Sequence, residues 1–527
     1  MENVPDEKIE IEGQNILKKL VMRRLSNFVG QGAFNFAKIN PENIKTWIFY
    51  QKPDNLDFEH GGFLLGVGLL GYLDSFSPTD IFQYLKQNHE ATCVGILLGI
   101  SASRIGRPDE STAKTLCLHI PFLLPPSYDV DIPLNVQTSA LVGIGLLNLG
   151  NCNRLITEMA IAQIGRKPNS DKCLDREGYS LAAGFSLGLV NLGQGSQHPN
   201  IKDLDLEERL IRFIEGGKKM NQPESMLSSN FNAESKCSSI RENHIVNVHV
   251  TGQGALLALG LINLKSNNQL IADKISIPNS FAMIENCNPN HILLKTAVRN
   301  IIMWDNIQNT PEFIYSQIPK LIKFIYEQPF SQVYEHYYLV YNVDEIDFAT
   351  VTQIYNSIIG GCIMAMGLKY AGTGDQKASD TIYNEIEKMR KRKTTQNDLS
   401  NDPNNKNSID QYSLFTLLSV SLLSLSLIKA GTSDVSCLKL CRVIRKKFQD
   451  QGVFHYGFNM AIHLAIGFLC LGRGQQSFKR DNLSIASLLI TIYPYFPNSP
   501  NDNKNHLQAL RHFYVLATEQ KQFLKQN

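Results

Sequence analysis

Ala182-Ala183-Gly184-Phe185-Ser186-Leu187-Gly188-Leu189-Val190-Asn191-Leu192-Gly193 decides the fold, because the chain repeats it. A gapless counterpart stands 43 residues earlier: Ser139-Ala140-Leu141-Val142-Gly143-Ile144-Gly145-Leu146-Leu147-Asn148-Leu149-Gly150. Further matches occupy 62–73, 95–106, 254–265, 361–372, 420–431 and 461–472. Eight copies therefore end at 73, 106, 150, 193, 265, 372, 431 and 472, with spacings of 33, 44, 43, 72, 107, 59 and 41. The short spacings set a unit near 40 residues, and the long ones mark insertions.

Wound at about 100° per residue as an α-helix, the quoted copy places Ala182, Ser186 and Gly193 on one edge of a face. Phe185, Leu189 and Leu192 form its centre, and Gly188 lies at the far edge. The other copies keep small residues at these edges: Gly66 and Gly68, Gly99 and Ser101, Gly143 and Gly145, Ala258 and Gly260, Ala365 and Gly367, Ser424 and Ser426, Ala465 and Gly467. Such edges predict two neighbouring helices in close approach, with the large central stripe packed on a third element. Leu187 on the opposite face corresponds to Ile144, Met366, Leu425 and Ile466, and a helix apolar nearly all round is a buried one. Glycine inside a helix costs roughly 0.5–1 kcal/mol relative to alanine, so its recurrence at matched sites points to packing.

Glycines 106, 150, 193, 372, 431 and 472 close their copies where a helix takes a left-handed residue. Polar residues follow, and then a second amphipathic helix, as at 155–160 and 435–443. The expected fold is all-α, an α-solenoid of helix pairs that bury their faces by stacking. The organisation read from this is an N-terminal flank over 1–57, a repeat domain over 58–517 and a polar tail over 518–527. Within the repeats, 194–247 reads as exposed loop. The segment 266–351 reads as an ordered elaboration, with helical stretches near 293–304 and 313–326. Residues 389–408, which hold Arg390-Lys391-Arg392-Lys393, read as a disordered loop.

Composition narrows the function. Of 527 residues, 43% are apolar and 19% charged, too apolar for general disorder, and the net charge is +2. That balance argues against nucleic acid or anionic lipid as the main partner. The acidic, polar start argues against a cleaved secretory signal. The longest apolar window, 414–428, carries four serines and falls short of the ~20 residues that a membrane span needs. Ten cysteines without such a signal read as reduced thiols of an intracellular protein. Cys437 and Cys441 stand four apart with no second pair, so they read as small hydrophobes and no metal site is expected.

Chemical motifs are weak. Residues 66–71 match GxGxxG by letter, but they occupy repeat positions inside a helix. There is no P-loop and no HExxH; His506 and His512, six apart, fall on different faces of a helix. His463 sits within a repeat helix and reads as a core histidine. Asp175-Arg176-Glu177 reads as a helix start. Gln508-Ala509-Leu510-Arg511-His512 reads as a closing helix whose charges meet a neighbouring chain or helix end. The 390–393 run reads as a solvated loop or an import signal. No nucleophile, base and oxyanion set assembles, so no cofactor and no small-molecule substrate are expected. An α/α-toroid enzyme would line its cavity with acids and aromatics, whereas these inner positions hold Gly, Ala, Ser, Leu and Ile.

Longer stretches carry a resemblance. They are Trp47-Ile48-Phe49-Tyr50-Gln51-Lys52-Pro53, His89-Glu90 with Gly95-Ile96-Leu97-Leu98-Gly99, and Ile120-Pro121-Phe122-Leu123-Leu124-Pro125-Pro126. Asp175-Arg176-Glu177-Gly178-Tyr179-Ser180-Leu181-Ala182-Ala183-Gly184, Tyr493-Pro494-Tyr495-Phe496-Pro497 and His506-Leu507-Gln508-Ala509-Leu510-Arg511-His512 join them. Over 47–517 the chain resembles the proteasome/cyclosome repeat family, shared by two proteasome regulatory-particle subunits and the largest subunit of the anaphase-promoting complex. Of these branches it is most similar to the anaphase-promoting complex subunit 1 family. The resemblance implies repeats closed into a toroid and a non-catalytic scaffold of a cell-cycle ubiquitin ligase. It further implies partners (the cullin/RING module, tetratricopeptide-repeat subunits and coactivator) and residence in nucleus and cytoplasm. The alternative within the family is a proteasome scaffold that binds ubiquitin-like domains. Members of the subunit 1 branch also carry an N-terminal β-propeller and sequence after the repeats, and neither is recognised in these 527 residues.

Overall fold

The computed structural model describes residues 41–125, 131–166, 176–216, 241–242, 245–328, 348–396, 411–450 and 455–521. They form an all-α solenoid in two compact units, one made of the described residues up to 262 with 497–516 and the other of those over 263–496 with 517–521.

The first unit opens with α1 (Pro41–Tyr50), whose Trp47 meets Phe63 edge-on at 5.6 Å and whose Phe49 stacks on Phe76 at 5.3 Å. Helix pairs follow: α2 (Phe58–Leu69) with α3 (Pro78–Leu85), α4 (Glu90–Ser103) with α5 (Glu110–Cys117), α6 (Leu134–Leu147) with α7 (Arg154–Ile164), and α8 (Glu177–Val190) with α9 (Leu206–Glu215). After a short ribbon, β1 (Arg241–Glu242) and β2 (Ile245–Val246), comes α10 (Val248–Ile262). The inner helices stack in the order α2, α4, α6, α8, α10, and each outer helix packs on the next inner one. Outer helices start on side-chain caps: in α3, Ser77 and Asp80 cap each other reciprocally, and Asp109 and Asn153 serve α5 and α7.

The second unit holds α11 (Gln269–Lys274), α12 (Phe281–Glu285), α13 (Pro289–Ile302), α14 (Pro311–Ser316), α15 (Lys320–Glu327) and α16 (Phe348–Lys369). Then come α17 (Gln376–Gln396), α18 (Gln411–Ile428), α19 (Val435–Asp450), α20 (Tyr456–Leu469), β3 (Gln476–Phe478), α21 (Asn482–Thr491) and β4 (Thr518–Gln520). Its inner helices stack as α13, α16, α18, α20. Helix α16 is long and apolar enough to cross a membrane, but 89% of that window is buried inside the unit.

Three sequence expectations change. The 194–247 segment is not all loop: Leu206, Leu210, Phe213 and Ile214 give α9 a buried stripe against α10, which the polar average of the segment concealed. Residues 217–240 lie outside the described ones. The 266–351 segment contains a ninth inner helix, α13, in the stack beside α16. Residues 389–396 belong to α17, held by Ile382, Ile386 and Met389 on its buried side and by Glu385–Lys388 and Glu387–Arg390 pairs at 2.7 and 2.6 Å; 397–408 lie outside the described residues.

Neighbouring repeats are also joined at their turns. The closing residue is left-handed at Gly106, Gly150, Gly193, Gly372 and Gly431, with φ between 64° and 71°. Its N–H donates to a carbonyl near the end of the next inner helix: Gly150 to Leu189 at 3.0 Å, Gly193 to Leu261 at 2.9 Å, Gly372 to Leu427 at 2.8 Å and Gly431 to Phe468 at 2.9 Å. Two residues on, a second left-handed position does the same, as Gly195 to Ile262 and Gly374 to Ile428, both 2.9 Å. A helix end leaves four carbonyls without intrahelical donors, and here the preceding repeat supplies two of them.

Lys265 takes the same left-handed role with φ 60°, donating to Ile301 at 3.0 Å, which puts α13 in register with the other copies. The turn after α13 lacks a left-handed closing glycine. Instead, Lys369 Nζ donates to the carbonyls of Trp304 at 2.9 Å and Ile307 at 2.8 Å, with Asp305 O at 3.3 Å. Lys369→Met keeps the stem and removes the donors. It is expected to lower unfolding stability by about 1–2 kcal/mol, read as a shifted urea midpoint with unchanged slope. A midpoint equal to the parent's would show that water satisfies those carbonyls as well.

Candidate functional site

The first candidate is the seam of small residues between inner helices. A Cβ on Gly145 would stand 2.7 Å from Ser186 Cα, and one on Gly143 would stand 2.6 Å from Ser101 Oγ. One on Gly367 would stand 2.8 Å from Ser424 Cα, and one on Gly68 would enter the backbone of Gly99. In these four pairs the position five before the end of one copy faces the position seven before the end of the next. Gly188 faces the Leu261 side chain, 2.7 Å from its Cβ. Gly66, Ala258 and Gly260 are buried on α2 and α10, and Ala365, Ser426 and Ala465 on α16, α18 and α20; Gly467 is only half-buried. No side chain larger than serine fits most of these crossings without parting two backbones.

The central stripes meet a third element in each unit. In the first it is the strap 497–516, where Lys504 O accepts from Gly178 N at 2.9 Å and His506 meets Phe185 edge-on at 6.1 Å. Phe513 and Leu510 are fully buried there. Between the strap and the starts of α2 and α4 lies a cavity of about 330 Å³ whose lining includes Gly61, Gly95, Leu507 and His512, with Glu90 its one carboxylate among the described residues. In the second unit Pro494 and Tyr495 approach Leu293, Asn356 and Leu417 from three inner helices.

The motifs with possible chemistry disperse. Gly66 and Gly68 are helical and Gly71 ends α2 at φ 86°, so 66–71 is no phosphate loop. Arg176 is the uncapped N-cap residue of α8 and Glu177 its first residue, while Asp175 lies outside the described residues. His463 is exposed on α20, not in the core: it falls on the one side of that helix left open. His506 and His512 are both buried, on a strap whose 508–517 part is a 3₁₀ helix. Arg511 is buried and donates to Gln508 at 2.9 Å, so it faces the protein's own interior and not a neighbouring chain. Burial pushes the Cys93 and Cys441 thiols up to about 11, and burial with the Asp434 charge takes Cys437 to about 12; none is a thiolate near neutral pH. Among the described residues no three His, Cys, Asp or Glu side chains gather as a metal set.

Two family models match the chain, described as the APC1 fifth domain over 110–519 and the APC1 fourth domain over 38–105. The mouse protein named anaphase-promoting complex subunit 1 is 38% identical over 485 residues, 90% of this chain and 24% of that relative. Its Arabidopsis thaliana namesake is 36% identical over 96% of this chain and 30% of its own length. An Emericella nidulans protein named negative regulator of mitosis is 31% identical over 91% of this chain and 22% of its own length. The chain thus spans about a quarter of the length of such relatives.

Proposed function

The chain belongs to the anaphase-promoting complex subunit 1 family, and on that footing we propose that it is a non-catalytic scaffold of the anaphase-promoting complex. In this reading it helps to hold the cullin/RING module, the tetratricopeptide-repeat subunits and the coactivator in one frame, in nucleus and cytoplasm, without a cofactor. The observation that carries the reading is the fifth-domain match over 110–519, which spans six of the eight recognised copies. Packing supports it. The inner helices spend their faces on one another and on the straps, which leaves turns and outer helices to meet partners. A catalytic lining would need converging acids and bases, and among the described residues the first unit's cavity offers Glu90 as its sole carboxylate.

The test is to tag the chain at its chromosomal locus and purify it from mitotic cells. Cullin, RING and tetratricopeptide-repeat subunits are expected in near-stoichiometric amounts. Recovery of proteasomal ATPases in their place would overturn the assignment.

A further inference from the structure

Two arginines in the first unit stand apart from everything described so far. Arg166 follows α7 and Arg176 precedes α8, at the ends where these helices meet: Ser180 Oγ donates to Ile164 O at 2.8 Å. Each guanidinium lies over an aromatic ring: Arg166 over Phe122 at 3.3 Å and Arg176 over Tyr179 at 4.1 Å from carbon to ring centroid. The Tyr179 ring is itself fixed, since its hydroxyl donates to Gln163 Oε1 at 2.8 Å. Arg176 is 7% exposed and its Nε has no hydrogen-bond partner. Among the described residues neither arginine has an ion-pair partner, and Glu177, next in sequence, pairs with neither.

Like charges are not normally held together on rigid supports without a counter-charge. Arg176 lies near enough that its charge, after burial, helps to push the Arg166 pKa below its ordinary value. The start of α8 adds to the positive field, because no side chain caps it and its free N–H groups carry the positive end of the helix dipole. Phe122 beneath Arg166 is 40% exposed, and its neighbours along the chain, Leu118 and Leu123, are 60% and 38% exposed, which makes an apolar shelf.

We propose that Arg166 and Arg176 bind a phosphorylated serine or threonine of a partner peptide, with the residue beside it resting on the Leu118–Phe122–Leu123 shelf. A phosphomonoester carries about −1.5 to −2 charges and three acceptor oxygens, which matches two unpaired guanidiniums. Arginine binds it bidentately where lysine offers only a point charge. Stacking on the rings holds both forks in place before the ligand arrives.

The probes are two fluorescein-labelled peptides, Gly-Leu-Ser-Leu-Gly with the serine phosphorylated or not, titrated by anisotropy into the full 527-residue chain. The phosphorylated peptide is expected to bind at least about tenfold tighter and to weaken steeply with salt. Arg166→Gln, at the more exposed arginine, is expected to abolish that discrimination while leaving the thermal midpoint in place, and Arg166→Lys to restore part of it. Equal binding of the two peptides, or undiminished discrimination in Arg166→Gln, would overturn the proposal. Discrimination that emerges only in Asp171→Asn or Asp175→Asn would overturn it too, because the chain's own acids would then be the occupant.

Discussion

Gly184→Val is expected to cost the first unit about 3 kcal/mol or more and to lower soluble yield. A Cβ at Gly184 would meet the Gly254 carbonyl carbon at 2.5 Å and its Cα at 2.6 Å, so the obstacle is backbone and cannot rotate away. The only relief is to part α8 from α10. That movement would stretch the Gly193–Leu261 and Gly195–Ile262 hydrogen bonds, which now stand at 2.9 Å. Gly374→Ala is the matched control, because its φ of 67° imposes a left-handed penalty of about 1–2 kcal/mol while nothing lies within 4 Å. Urea unfolding followed by circular dichroism separates the two variants. If both lost the same stability, close approach at the seam would not be what the glycine is for.

Phe513→Ala should be nearly as damaging, at about 3–5 kcal/mol. Its ring is fully buried in the strap 497–516, which lies against α2, α4 and α8, so truncation opens a void on the stripe side of the stack. Leu155, 75% exposed at the start of α7, provides the comparison, and its truncation should stay within about 0.5 kcal/mol. Amide exchange is the informative readout, since protection should fall in α2, α4 and α8 together. Unchanged protection there would mean that the strap rests on a core already complete without it.

The repeats could be read because their constraint is local: a helix squeezed on two edges needs small residues five and seven before the end of its copy, and those residues recur in the sequence. The ninth inner helix escaped because Val298 and Asn300 occupy the small positions and Asp305 takes the place of the closing glycine, with the turn tied to α16 through the Lys369 side chain instead. Only the 107-residue gap between copies hinted at it. In α9 four apolar residues were outvoted by a polar neighbourhood. His463 shows the reverse error, a polar residue placed inside because its helix is mostly buried. The pairing rule across the seam, and the meeting of Arg166 with Arg176, depend on how helices stack and leave no periodic trace in the chain.

The backbone hydrogen bonds donated by the left-handed turn residues run one way, from an earlier repeat to a later one. Synthesis on the ribosome proceeds in the same sense. A hairpin that has just emerged therefore presents its left-handed N–H groups as an open socket, and the helix that follows plugs into it. Assembly within each unit is vectorial by construction, and a translational pause after Gly195 would leave two dangling donors that α10 alone can satisfy.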